Sequence, residues 1–221
     1  NEILPYELLS RLIRETSVVS VAQCPCRVER RNCDSPTETC LVLGKPAEIL
    51  VERGAARPIE VKEALQILER CEDLGLVHQT ANASRQINVI CNCCTCCCDF
   101  LRALTILGTE NATARSRYHA AVDSELCNGC GVCENRCKFG AVELKGGVAS
   151  ASEERCFGCG LCVSKCPTEA IRLVLDKGED HIPEREAWPP LPELPVHDVL
   201  LKILKEKGAP GLVGDLNRLS K

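Results

Sequence analysis

Four cysteines at 127, 130, 133 and 137 recur in the same order and spacing at 156, 159, 162 and 166. Each member of the second set lies 29 positions after its counterpart, and the flanks keep the same offset: Gly129/Gly158, Gly131/Gly160, Ala141/Ala170, Val142/Ile171 and Leu144/Leu173. A chain that carries the unit C-x2-C-x2-C-x3-C twice is internally duplicated. Thiols this closely spaced bridge one another poorly, so the pattern points to metal rather than to disulfides.

The spacing is the bacterial run of iron–sulfur ligands, in which three cysteines two residues apart wrap one cube and the fourth crosses to the other cluster. Cys127, Cys130, Cys133 and Cys166 are therefore assigned to one [4Fe–4S] cluster, and Cys156, Cys159, Cys162 and Cys137 to a second. Pro167 follows Cys166 as the pattern asks, whereas Lys138 stands where the first unit would have proline. Zinc sites usually pair two C-x2-C units across a longer gap, which this duplication does not resemble. Residues 121–176 resemble the two-[4Fe–4S] bacterial ferredoxins. The resemblance implies a small α+β fold with short hairpins and two short helices, and one-electron transfer as its role. "FGAVEL" and "TEAIRL" are expected where each unit passes into a strand.

The segment before it differs in composition. "PYELLSRLIRET" has helical apolar spacing behind Pro5, "SVVSVAQCPCR" reads as extended, and "KPAEILVERG" as a short helix stopped by Gly54. "RPIEVKEALQILERCEDLG" is an amphipathic helix ending at Gly75. "LVHQTA" and "QINVIC" around "NASR" read as a hairpin. The fold class expected is α+β: an N-terminal helix-plus-hairpin, winged-helix-like, cysteine-rich domain (1–105), a linker (106–120) and the ferredoxin-like domain (121–176). A proline-rich linker (177–196) and an amphipathic C-terminal helix (197–221) complete the chain.

Of 19 cysteines, eleven lie outside the duplicated unit. Cys71 sits inside the amphipathic helix and reads as a small apolar residue. The other ten are Cys24, Cys26, Cys33 and Cys40, in "CPCRVERRNCDSPTETC", and Cys91, Cys93, Cys94, Cys96, Cys97 and Cys98, in "CNCCTCCC". No packing need explains ten such thiols, and they are expected to bind metal. One or two further iron–sulfur clusters, or one larger or unusual cluster, would use them, with zinc or mixed metal as the alternative. On a helix of about 100° per residue, Cys91, Cys94 and Cys98 would face one way and Cys93, Cys96 and Cys97 the other. The chain up to about residue 175 resembles a family of proteins of anaerobes known as 4Fe–4S dicluster-domain proteins, with "CPCR" and "CNCC" motifs ahead of a two-cluster ferredoxin. That implies electron transfer.

Aromatic residues make up only 3 % of the chain and the net charge is −4. The acidic balance argues against nucleic acid or an anionic membrane as partner, and no apolar run approaches a membrane span. No Walker loop, dinucleotide fingerprint or nucleophile elbow is present. His78, His119, His181 and His197 are scattered, with a surface role as the default for each. The reading is a cytoplasmic iron–sulfur electron carrier with redox proteins as partners and the C-terminal helix as a docking element. Two alternatives stand beside it: a small-molecule reductase with an unusual N-terminal cluster, and a redox-sensing regulator built on the helix and hairpin.

Overall fold

Short strands, several of them buried at consecutive positions, organise the N-terminal half. The structure, a computed structural model, describes residues 2–80 and 87–176; the "NASR" turn and everything expected beyond 176 lie outside the described residues. The order is β1 (Glu2–Ile3), α1 (Tyr6–Glu15), β2 (Val19–Gln23), α2 (Pro25–Arg30), β3 (Glu38–Leu43), α3 (Lys45–Glu52), β4 (Arg57–Ile59), α4 (Val61–Asp73), β5 (Val77–Thr80) and β6 (Val89–Cys93). The six strands form one antiparallel sheet in the order β1-β5-β6-β3-β2-β4. The expected helix and pair of antiparallel strands are α4, β5 and β6, and both strands are interior members of this larger sheet.

Directly opposed residues share a sheet face. Val19 lies across from Leu43, Val21 from Leu41, and Leu41 from Ile90. These five make one apolar face, on which Leu9 and Ile13 of α1 and Ala64 and Leu68 of α4 pack. Each large side chain buried there contributes about 1.5–3 kcal/mol. The extended reading of "SVVSVAQCPCR" holds only to Gln23. Pro25 opens the first turn of α2, where its fixed φ and missing N–H are tolerated, so Cys24 caps a helix and Cys26 lies within it.

Beyond β6 follow α5 (Asp99–Thr105), a short 3₁₀ turn at Glu110–Ala112, β7 (Tyr118–Val122), α6 (Val132–Arg136), β8 (Val142–Lys145), β9 (Val148–Ala151) and β10 (Ile171–Leu175). β7 pairs with β10 and β8 with β9, both antiparallel. β8 and β10 start at the duplicated Val142 and Ile171. The helix expected in the second unit is a run of turns. Ser164, which would sit within it, turns its hydroxyl to Glu72 and to the carbonyl of Leu161, and such side-chain bonding competes with helix formation.

The two halves share apolar contacts. Phe157 and Leu161 of the duplicated region pack with Ile3, Val77 and Leu101. Among the described residues no helix is long and apolar enough to cross a membrane.

Candidate metal centres

The duplicated region builds two thiol-lined cavities. The first is lined by Cys127, Cys130, Cys133 and Cys166, the second by Cys137, Cys156, Cys159 and Cys162. Each therefore gathers three cysteines of one unit and the fourth of the other. Both are walled by small aliphatic side chains: Val122, Ala149 and Ile171 in the first, Ala120, Ala141 and Val142 in the second.

Glycine lets the loops come this close. Gly158 has φ +63, and a Cβ there would stand 2.0 Å from the Tyr118 carbonyl oxygen. Its counterpart Gly129 has φ +70, and a Cβ would meet the Gly147 carbonyl oxygen at 2.4 Å. Backbone amides are aimed at the sulfurs: Ala120 and Gly158 donate to Cys156 Sγ, both at 3.4 Å, Ala141 to Cys137 Sγ at 3.2 Å and Ala149 to Cys127 Sγ at 3.4 Å. Such bonds favour the thiolate, the form that binds metal. Burial pushes Cys159 up to about 12 and raises Cys162 and Cys133 as well. At Cys166 burial is outweighed by the amide and hydroxyl of Thr168 and the amides of Ala170 and Ile171, which lower its pKa. The two cavities differ at one equivalent position: Cys130 at the first is exposed, while its counterpart Cys159 at the second is half-buried.

In the N-terminal half the ten thiols are gathered by a strand and a turn. The helical division of 91–98 is corrected here, because β6 runs through Cys93 and its ladder to β5 fixes a period of two. Cys91 lies across from Gln79 and Cys93 from Val77, on the sheet face opposite the apolar one. The register Leu41↔Ile90 brings Cys40 to the level of Cys91 on that face. A turn at 95–97 follows, and Cys98 caps α5.

Two groupings result. Cys33, Cys94, Cys96 and Cys97 converge, with their sulfurs all within 4.8 Å of one another. The other grouping is Cys40, Cys91, Cys93 and Cys98, neighbouring thiols that shift one another's pKa, with Cys24 and Cys26 beside it. Cys91 is held well below the ordinary thiol range because Cys40 and Cys93 both hydrogen-bond to it, while that bond and burial raise Cys40. Cys98 falls to about 6 through its bonds from Cys93, the amides of Leu101 and Phe100 and the Gln79 amide, against burial. Cys71 is buried on α4, and burial lifts it to about 12, as suits an apolar packing role.

Arg27 tests whether this nest fits an anionic metal–thiolate group. It is 2 % exposed, donates Nη2 to the Asn92 carbonyl oxygen at 2.8 Å and to Thr39 Oγ1, and keeps Nε and Nη1 buried without a hydrogen-bond partner. Burial opposes its charge, but Cys24, Cys94, Cys93 and Cys71 favour it and raise its pKa. A cation with unspent donors, buried among thiols, suits a negatively charged centre.

The sequence reading missed a polar chain between the halves. His78, assigned to the surface, is 1 % exposed. Its Nε2 meets Glu72 Oε2 at 2.9 Å and its Nδ1 meets Asn92 Oδ1 at 2.6 Å. Asn92 Nδ2 donates to the Thr39 carbonyl oxygen at 2.6 Å. Both ring nitrogens thus face side-chain oxygens, one from Glu72 and one from Asn92. From the duplicated region Ser164 Oγ donates to Glu72 Oε1, and Arg136 Nη2 donates to the Glu72 carbonyl oxygen at 2.6 Å. The available signal was Glu72 on the apolar face of α4, one position after Cys71.

The family of the 4Fe–4S binding domain matches the chain twice, at residues 120–143 and 150–172. Residues 120–172 are thus a 4Fe–4S binding region, and a cysteine-rich cluster lies ahead of it between 33 and 98. No curated protein matches the chain.

Proposed function

We propose that this protein is an electron carrier holding two [4Fe–4S] clusters in its C-terminal half and at least one further metal–thiolate centre in its N-terminal half. The observation that carries the reading is the pair of cavities, each lined by three cysteines of one unit and the fourth of the other. Cys127, Cys130, Cys133 and Cys166 would hold one cluster; Cys156, Cys159, Cys162 and Cys137 the other. Such clusters supply one-electron chemistry when bound. The chain's part is to exclude water with small aliphatic walls and to donate the amides of Ala120, Ala141, Ala149 and Gly158 to thiolate sulfur, which tunes the potential.

The asymmetry in exposure suggests a path. The edge at Cys130 and Leu126 is open and is the natural place for a redox protein to dock, Leu126 being 53 % exposed. The second cavity includes Phe157 and Leu161, which pack against the N-terminal half. Electrons would enter at the open edge and leave toward the N-terminal thiols, or run the reverse way.

The test is EPR of dithionite-reduced protein, with iron and sulfide counts, on the full chain prepared without oxygen. Cys137→Ser should alter the signal of the cluster held by Cys156, Cys159 and Cys162 and spare the other. Selective loss of the cluster on Cys127, Cys130 and Cys133 would overturn the crossed assignment. Absence of any reducible cluster would overturn the function.

A further inference from the structure

We infer that Cys33, Cys94, Cys96 and Cys97 bind a single tetrahedral metal ion, zinc or a lone iron, separate from any sulfide-bridged cluster. The inference deepens the reading of the N-terminal half as metal-binding and rests on it, but not on the clusters of the C-terminal half.

Distance carries the argument. Cys33 Sγ is 3.7 Å from Cys94 Sγ and 3.9 Å from Cys97 Sγ, and Cys96 Sγ is 3.8 Å from Cys97 Sγ. Four sulfurs placed tetrahedrally about 2.3 Å from one ion lie about 3.8 Å apart. Thiolates of a cube sit on different iron atoms and must stand wider. The chain supplies its own comparison: the eight cysteines of the duplicated region are all described, yet among the described residues only this quartet brings its donors within 4.8 Å of one another.

The surroundings suit a closed site. Cys94 and Cys97 have the C-x2-C spacing of a metal knuckle. The turn that carries them is held from both sides, because Asn32 Nδ2 and Arg102 Nη1 both donate to the Cys96 carbonyl oxygen, at 2.9 and 3.1 Å. Four soft thiolates with no oxygen or imidazole donor select zinc or iron over magnesium or calcium. Four protein ligands leave no open position, so the ion would act as a staple. It would pin the segment after α2 to the turn after β6 and leave Cys24, Cys26, Cys40, Cys91, Cys93 and Cys98 for a sulfide-bridged cluster.

The test uses the full chain, purified without oxygen from zinc-supplemented and from iron-only medium. Metal and sulfide are counted, and X-ray absorption is recorded at the edge of the metal in question. The expected result is one zinc per chain, or one iron in excess of sulfide, with a four-sulfur shell at about 2.3 Å and no neighbouring metal atom. Cys33→Ser and Cys94→Ser should each lose that ion and keep sulfide and reducible-cluster EPR. Because a variant can fail through misfolding, cobalt is also exchanged into the wild-type protein, where tetrahedral tetrathiolate bands in the visible spectrum are expected. Iron equal to sulfide with no zinc in the wild type would overturn the inference. So would a metal–metal shell at the zinc edge, or sulfide lost together with metal in both variants. Loss of EPR from wild-type protein that still carries the lone ion would sink the electron-carrier proposal and leave this one standing.

Discussion

Replacing Glu72 tests whether the buried polar chain ties the two halves together. The Glu72 side chain is 6 % exposed and its carboxylate meets His78 at 2.9 Å, with Arg136 Nη2 at 3.7 Å and the Ser164 hydroxyl on its other oxygen. Glu72→Leu removes two hydrogen bonds to a charged group, worth about 1.5–3 kcal/mol each. It also strands His78 in the interior, and breaking a buried pair from one side costs about 3–5 kcal/mol in total. For a chain of this size about 1 kcal/mol corresponds to roughly 2–4 °C, so the apparent Tm should fall by roughly 10 °C. Glu72→Gln keeps the shape and one acceptor oxygen and should lose about half as much. The exposed pair Lys165–Asp73, at 2.5 Å with side chains 44 % and 54 % exposed, provides a control. Asp73→Ala should shift Tm by no more than about 2 °C, since such surface pairs are worth about 0–1 kcal/mol. The assay is thermal unfolding followed by circular dichroism on metal-loaded protein, without oxygen and at one scan rate. A Glu72→Leu protein melting within about 2 °C of wild type would refute the reasoning. So would Glu72→Ala and Ser164→Ala effects that add without coupling, since residues sharing a bond should couple by about 0.5–3 kcal/mol.

Gly158→Ala and Gly131→Ala both place a side chain at positive φ, but only the first drives a Cβ into backbone, at 2.0 Å from Tyr118 O. Gly131→Ala should cost about 1–2 kcal/mol and keep its iron, whereas Gly158→Ala should separate the loop from β7 and lose iron, read by metal analysis. In metal-free protein Cys33 has its pKa lowered to about 6, burial being outweighed by Ser35 and the neighbouring thiols. Because the folded value lies below the unfolded one, the thiolate persists as pH falls from about 9 to about 6 and is lost below that. Alkylation of Cys33 by iodoacetamide, mapped by mass spectrometry, should stay near its plateau at pH 7.5 and drop several-fold by pH 5. A rate at pH 7.5 tenfold below that at pH 9 would contradict the shift. Arg27→Met removes the cation buried among the N-terminal thiols and should weaken metal retention there against a chelator by about tenfold or more, on the scale of losing one charge-assisted bond of about 1.5–3 kcal/mol. The iron and sulfide of the duplicated region should be unchanged; equal losses in both halves would mean that Arg27 serves only the fold.

The duplication was legible because its information is local. Three cysteines two residues apart and the glycines between them specify a ligand loop whatever surrounds it, and Val142 and Ile171 open their strands where the repeat predicted. Helices α1 and α4 were legible from the apolar period of their own residues. Sequence periodicity could not divide the ten N-terminal thiols, because a helix and a strand distribute "CNCCTCCC" onto different faces, and only the ladder from Cys93 to Val77 chooses between them. Cys33 lies 61 residues before Cys94, and no local rule pairs them; their meeting depends on α2 and β6 being fixed by one sheet. The same holds for His78, which looks unremarkable in sequence and is buried because β5 is an interior strand. Ligand identity is written in residue type and spacing. Which distant ligands share a metal is decided by strand register, and register is set by the burial of the apolar face, summed over the sheet.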